Sequence, residues 1–362
     1  MVLDFLEQLA EGTPKSGLQD SRKATIRLNL ADRRKPVGDD GEMPTRTLTF
    51  PHKSKNGSAK TFAQLFRTVD LMHEALMSDT PTTKRDMFYK DVNLFGSQAT
   101  LDKLVDDVAA TIGVSRGDLN VRASMKGLIC GSGLTMVLRG GIEVPIHSTE
   151  STLIPSVEEI ERFDVDDDLS WVLVVEKEAV FQTLCHMNFA RHPRLQGTGL
   201  IITGKGYPDL ATRQLISTLS NNLPYSIPFV GVVDCDPHGI DILSVYKYGS
   251  HSMAHERETL VAPRLHWAGL QSEDLSCLNI NKDYLVPITK HDERKALSML
   301  RRENLPQEWK RELQNMLHSR RKAEIEILSS HSPIVPRPED ALTSYLVEKI
   351  IAAQNVCHLD EE

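Results

Sequence analysis

The chain has 362 residues, 40% hydrophobic and 25% charged, with a formal net charge of −8 at pH 7. That length carries two or three domains, each able to bury a core, and the composition is that of an ordinary globular protein. No apolar run reaches the roughly 20 residues of a membrane span, and the acidic balance argues against nucleic-acid binding by net charge alone, although a basic channel can coexist with an acidic exterior.

The N-terminal stretch Met1-Val-Leu-Asp-Phe-Leu-Glu7 lacks the basic-then-apolar order of a secretory signal. Five widely spaced cysteines, at 130, 185, 235, 277 and 357, have no zinc-ligand spacing and predict free thiols in a reducing compartment. Residues 1–60 hold a short helical run, Leu3 to Leu9, then many Gly and Pro and the basic clusters Arg33-Arg34-Lys35 and Lys53-Ser-Lys55. This predicts a variable, partly disordered arm. From Thr61 the pattern turns helical, with Phe62, Leu65, Phe66, Val69, Met72 and Leu76 on one face. Thr83 to Phe95 follows. A third helix has Ser97 as N-cap and Leu101, Leu104, Val105, Val108 and Ile112 inward. Strand-like Leu128–Cys130 and Leu134–Leu138 read as a hairpin. Three helices and then a hairpin is the order of a winged-helix domain, placed at 61–148, with an acidic linker at 149–170.

From 171 the chain alternates. Strands Trp171–Val175, Leu200–Thr203 and Phe229–Val233 each lead into a helix. That order predicts a parallel sheet with helices on its faces, over 171–362 with C-terminal helices. Glu176 follows the first strand; Asp234 and Asp236 follow the third. Carboxylates at the carboxyl ends of strands sit where open α/β sheets bind ligands, and three oxygen donors suit a hard cation such as Mg²⁺. Taken alone, the same acids cap helices or face solvent. Gly204-Lys205-Gly206, at a strand-to-helix turn, offers amides and a cation to a phosphate but lacks nucleotide P-loop spacing. Arg85 and Tyr89, four apart, share a helix face. A phenol beside a guanidinium can attack a phosphodiester once a base or cation activates it. The plainer reading is a structural tyrosine.

Taken together these stretches resemble the topoisomerase VI A-subunit family. Arg85-Asp-Met-Phe-Tyr-Lys-Asp91 is similar to its nucleophile motif, and Lys126-Gly-Leu-Ile-Cys-Gly131 to its wing segment. Val174-Val-Glu-Lys-Glu178, Gly204 to Arg213, Val233-Asp-Cys-Asp-Pro-His-Gly239 and Tyr246-Lys-Tyr-Gly-Ser250 resemble its Toprim motifs, in order. The resemblance runs from about Phe62 to Tyr345 and leaves the first 60 residues unsupported.

The implied fold is a winged-helix (CAP-like) module followed by a Toprim-type parallel α/β domain. The implied activity is cleavage of double-stranded DNA by tyrosine transesterification, with Tyr89 joined to the 5′ end and Arg85 assisting. Glu176, Asp234 and Asp236 would hold Mg²⁺. Lys126, Lys205, Tyr207 and Arg213 would line the DNA path. The implied partners are a second copy, as a homodimer on DNA, other break-formation proteins, and an ATPase-like topoisomerase VI B-type subunit, in the nucleus. Phe88 stands where some relatives carry a second tyrosine, and Met87 where a branched aliphatic residue is usual. Of the family's two branches the chain leans to the meiotic one, which cuts to start recombination. The alternative is a topoisomerase subunit that cuts, passes and reseals. A metal hydrolase with a structural Tyr89, and a non-catalytic DNA-binding subunit, are rival classes.

Overall fold

The computed structural model describes residues 2–11, 25–33, 35, 43–51, 58–122, 125–249, 260–331 and 338–359. The described residues up to 122 form one unit and those from 125 a second.

In the first unit, helix α1 (Val2–Glu11) is followed by strands β1 (Ile26–Ala31) and β2 (Thr45–Phe50), which pair antiparallel. Helix α2 (Ser58–Met77), a short strand β3 (Thr82–Thr83), helices α3 (Lys84–Lys90), α4 (Val92–Phe95) and α5 (Gln98–Ile112), and strand β4 (Val121–Arg122) complete it. β1 alternates. Ile26, Leu28 and Leu30 are buried while Arg27 and Asn29 face outward, as the two-residue period of a half-buried strand requires. Phe5 of α1 packs on Phe66 of α2 at a ring-centroid distance of 4.5 Å. Much of the expected disordered arm is therefore folded onto α2 and α5. Arg33 lies 3.0 Å from Asp107 Oδ1 and 3.6 Å from Asp106 Oδ2, so it is an internal ion-pair partner. Arg34, Lys53 and Lys55 lie outside the described residues.

Helix α5 starts as expected, with the Ser97 hydroxyl accepting from the Thr100 amide. Leu101, Leu104, Val105 and Val108 enter the core with Leu65, Met72 and Met87. Ile112, expected inward, is exposed where the helix ends at Gly113.

The second unit is built on a six-stranded sheet. Its elements in chain order are β5 (Leu128–Gly131), β6 (Leu134–Leu138), β7 (Ile142–Pro145), β8 (Thr152–Leu153), β9 (Ile160–Val165), β10 (Leu169–Val175), α6 (Glu178–His186), β11 (Thr198–Thr203), α7 (Leu210–Asn222), β12 (Phe229–Val232), α8 (Pro237–Tyr248) and β13 (Leu265–Gly269). Then come α9 (Ser272–Cys277), β14 (Val286–Pro287), α10 (Lys290–Leu300), α11 (Gln307–Ser319), β15 (Arg321–Lys322), α12 (Ile327–His331) and α13 (Pro338–Leu359). Sheet order is β13-β12-β10-β11-β5-β8. β13, β12, β10 and β11 are parallel; β5 and β8 add antiparallel. β11 and β12 are buried throughout, and β10 nearly so, as strands covered on both faces must be. The chain leaves β10 toward β11 on one side and returns as β12 on the other. The carboxyl ends of β10 and β12 therefore meet at a topological switch point.

Three expectations change here. β5 and β6 do not pair as a hairpin. β5 is buried at every position and docks against β11, whereas β6 pairs with β7 and β9. The expected wing strands thus belong to the second unit. Residues 149–170 are not a linker: they contain β8, β9 and the start of β10, and the acids of β9 occupy its exposed positions. Finally, Cys130 of β5 and Cys185 of α6 are joined as a disulfide, while Cys235, Cys277 and Cys357 are free. The pairing follows from β5 joining this sheet, which a linear reading does not reveal.

Candidate active site

Tyr89 sits on α3, a short helix that starts in a capping box. The Thr83 hydroxyl accepts from the Asp86 amide, and the Asp86 carboxylate accepts from the Thr83 amide. This satisfies amides that the first helical turn leaves without partners. Met87 is fully buried and Phe88 leans on the core, which turns Tyr89 outward at 61% exposure. The Arg85 guanidinium lies 5.7 Å from the Tyr89 ring centroid, within cation–π range. Lys84, just before Arg85, ties α3 to α5 through the Asp106 carboxylate and the Asp102 carbonyl. Burial, and then Arg116, lower the Lys84 pKa. The anchor is thus a charge held inside an ion network, with Arg116 3.3 Å from Asp106.

The acids gather at the switch point. The Glu176 carboxylate accepts from the Asp234 amide at 3.0 Å. Asp234 Oδ1 accepts from the Ile325 amide at 2.9 Å, and Asp236 Oδ1 caps α8 through the Gly239 amide at 2.7 Å. Gly239 has to be glycine, because a Cβ there would meet the Asp234 carbonyl oxygen at 2.5 Å. Burial first, and then the Asp234 charge, push the Glu176 pKa up to about 7; burial pushes Asp234 up to about 6. Such shifts mark carboxylates whose charge is poorly compensated.

Two ammonium groups stand over them. Lys177 Nζ is 3.0 Å from Asp234 Oδ2, and Lys322 Nζ is 3.4 Å from Asp236 Oδ2 and 3.2 Å from Asp292. Among the described residues no group of three or more His, Cys, Asp or Glu side chains is arranged to hold a metal ion as it stands. The carboxylates converge with part of their oxygens spent on backbone amides and lysines. The donors are still all hard oxygens at one sheet end, and the raised pKa values of Glu176 and Asp234 are what a divalent cation relieves. By donor type and charge, though not by present spacing, the residues fit a cation.

Lys126 and Lys205 are brought together. The Lys126 ammonium donates to the Lys205 carbonyl at 3.3 Å, and the Lys126 amide to Asp209 Oδ2 at 2.6 Å. Gly127 is required because Thr212 Oγ1 occupies the place of its Cβ. Lys205 Nζ is 2.8 Å from Glu178. The Tyr207 hydroxyl donates to Asp241 Oδ2 at 2.7 Å while its ring stays partly exposed. Arg213 departs from expectation. It is 4% exposed within α7 and donates to the Leu260 carbonyl, so its guanidinium is turned into the packing and away from the surface that a DNA contact needs. Sequence reasoning missed Lys177, Lys322 and Ile325. Lys177 adjoins an expected ligand, which was a usable signal. Lys322 and Ile325 stand 86 and 91 positions from the acids they touch, where spacing carries no signal.

A strand-end acid cluster on a parallel sheet, in one chain with an exposed tyrosine beside an arginine, is the arrangement expected of a DNA-cleaving enzyme of the type IIB topoisomerase kind. Comparison with known proteins agrees. The family model for the Toprim domain of Spo11 and the topoisomerase 6 A-subunit matches residues 171–350, and the model described as "Type IIB DNA topoisomerase" matches 60–121. Meiotic recombination protein SPO11 of Homo sapiens is 38% identical over 91% of this chain and 81% of its own length. Meiotic recombination protein rec12 of Schizosaccharomyces pombe is 37% identical over 90% and 88%. The DNA topoisomerase 6 A-subunit of Arabidopsis thaliana is 32% identical over 73% and 61%. The chain belongs to the family of Spo11 and the topoisomerase 6 A-subunit.

Proposed function

We propose that this protein makes the DNA double-strand breaks that start meiotic recombination, by transesterification from Tyr89. The observation that carries the reading is the exposed Tyr89 phenol with the Arg85 guanidinium beside its ring. The Tyr89 oxygen attacks a backbone phosphorus. A Tyr–O–P bond to the 5′ end forms, the P–O3′ bond breaks, the phenol proton leaves to solvent and the 3′ oxygen takes one up. One phosphoester replaces another, so the cut needs no ATP. Arg85 neutralises charge on the phosphoryl oxygens as it develops. Glu176, Asp234 and Asp236 hold Mg²⁺, which when bound supplies charge stabilisation to the phosphate. Lys126, Lys205 and Tyr207 face the DNA backbone, and the first unit acts as a winged-helix-type DNA module.

Two relatives with meiotic recombination names are spanned over 81% and 88% of their length, against 61% for the Arabidopsis topoisomerase 6 A-subunit, which favours break formation over the topoisomerase alternative. The protein then acts in the nucleus, as a homodimer on double-stranded DNA, and its partners include a B-type ATPase-like subunit. No described helix is long and apolar enough to cross a membrane. The test is covalent-adduct labelling. Wild type and Tyr89→Phe are expressed where breaks form, denatured and immunoprecipitated, and the 5′-linked DNA is labelled from its free 3′ end. Label on wild type alone is expected. Equal label on both would assign another nucleophile, and breaks without any label would favour a metal hydrolase.

A further inference from the structure

One ammonium at the acid site is met by three carboxylates. Lys177 Nζ lies 3.0 Å from Asp234 Oδ2, 2.7 Å from Glu326 Oε2 and 3.4 Å from Glu324 Oε2. The two glutamates belong to a strap, residues 321–326, that crosses the end of β12. Cys235 and Ala323 exchange backbone hydrogen bonds of 2.9 and 3.1 Å, and the Ile325 amide donates to Asp234 Oδ1. Ala323 and Ile325 are buried. Glu324 and Glu326, the latter in the turn that follows the Ala323 bridge, face the other way, toward Lys177 and solvent. Asp234 is thus held at both oxygens, one by a fixed amide and one by a side chain that has two further acceptors within reach.

We propose that Lys177 is a displaceable counter-ion of the acid site. It neutralises Asp234 until a divalent cation takes that oxygen, and Glu324 and Glu326 then retain it on the strap. The proposal rests on the reading that Glu176, Asp234 and Asp236 hold a cation. Its physical basis is that an ammonium and a divalent cation repel strongly at contact distance in a partly buried site. Without other anions nearby, Lys177 would either exclude the metal or be expelled to water. With Glu324 and Glu326 in reach it changes partner by a side-chain shift. The metal-free site then presents less bare negative charge to a DNA phosphate, and the loaded site keeps a cation beside the metal. Lys177 is on this account a positioning residue for the reaction.

The test titrates Mn²⁺ into the full-length protein without DNA, by calorimetry at fixed pH. Lys177→Met is expected to bind Mn²⁺ on the order of tenfold tighter than wild type, because the competing charge is gone. The double variant Glu324→Gln/Glu326→Gln is expected to bind about threefold or more weaker, because Lys177 has nowhere else to go; combined with Lys177→Met, that loss should shrink below about twofold. Unchanged or weaker binding by Lys177→Met overturns the proposal. An equal glutamate effect in both backgrounds also overturns it, since the carboxylates would then act on the metal directly. Melting curves of each variant identify any that has lost its fold, and Lys177→Arg, which keeps the charge, should stay within about twofold of wild type. If wild type titrates no better than Glu176→Ala, the cation reading itself fails and this proposal with it. Strong wild-type binding with no Lys177 effect removes the counter-ion alone.

Discussion

Arg85 and Arg213 are both arginines in family-like motifs, yet their surroundings separate them. Arg85 is exposed beside Tyr89, so replacing it should leave the fold alone. Arg85→Ala is expected to lower covalent-adduct yield by about 10²-fold while stability stays within about 0.5 kcal/mol of wild type. Adduct labelling and a melting curve on one preparation check both. Arg213 is the opposite case. Its guanidinium is enclosed by α7 and the Leu260 carbonyl. Arg213→Met is expected to cost about 1–3 kcal/mol of stability and to leave the salt dependence of DNA affinity unchanged. Lys126→Ala or Lys205→Ala should instead flatten the slope of log affinity against log salt by about 0.9 for each phosphate no longer neutralised. A flatter slope for Arg213→Met would return it to the DNA path. The motif that contains Arg213 was legible in the sequence. Its direction was not, because only packing decides which way a long side chain on α7 points.

At the scale of elements, α8 and α10 are joined through Asp241. Its carboxylate, 5% exposed, meets Lys295, Arg302 at 2.7 Å and the Tyr207 hydroxyl at 2.7 Å. Burial acts to raise the Asp241 pKa; the bonds from Lys295 and Tyr207 and the charge of Arg302 outweigh it, and the net shift is downward. A depressed carboxyl contributes stability that is complete above its unfolded value and is lost as pH falls through the folded one. Asp241→Asn should therefore cost roughly 2–4 kcal/mol at pH 7, with the difference from wild type shrinking below about pH 4. Urea melts of both proteins across pH check this; a gap that does not narrow at all as pH falls from about 4 toward acid unfolding would assign the loss to packing. The elements themselves were unevenly legible. β10, β11 and β12 were readable because burial on both faces writes a continuous apolar run. β1 was obscured because the Gly and Pro around it outweighed the alternation of Ile26, Leu28 and Leu30. β5 was placed with the wrong partner because a short apolar strand says that it is buried and nothing about which sheet buries it.

At the scale of the whole molecule, the two halves of the proposed chemistry lie in different units, Tyr89 in the first and Glu176, Asp234 and Asp236 in the second. Each residue of the two halves sits in a pattern readable locally, with Arg85 and Tyr89 four apart on one helix and each acid just after an apolar strand. That is why both were legible while Lys177's reach to Glu326, 149 residues on, was not. Two protomers can combine such halves in two ways, and mixing distinguishes them. Tyr89→Phe and Glu176→Ala should each be inactive alone. Suppose the tyrosine of one protomer works with the acids of its partner. A mixed dimer then has one site with both defects and one with neither, and it nicks a single strand. Suppose instead that each protomer works alone. Each site of the mixed dimer then carries one defect, and the mixture stays silent. Random assortment makes about half of the dimers mixed, so nicked circles should appear at about half the turnover of one wild-type site, without linear product. Nicking of plasmid DNA by the mixture, measured beside each variant alone and wild type, is the expected outcome. Silence from the mixture under conditions where wild type linearises the plasmid would place both halves of the site in one protomer.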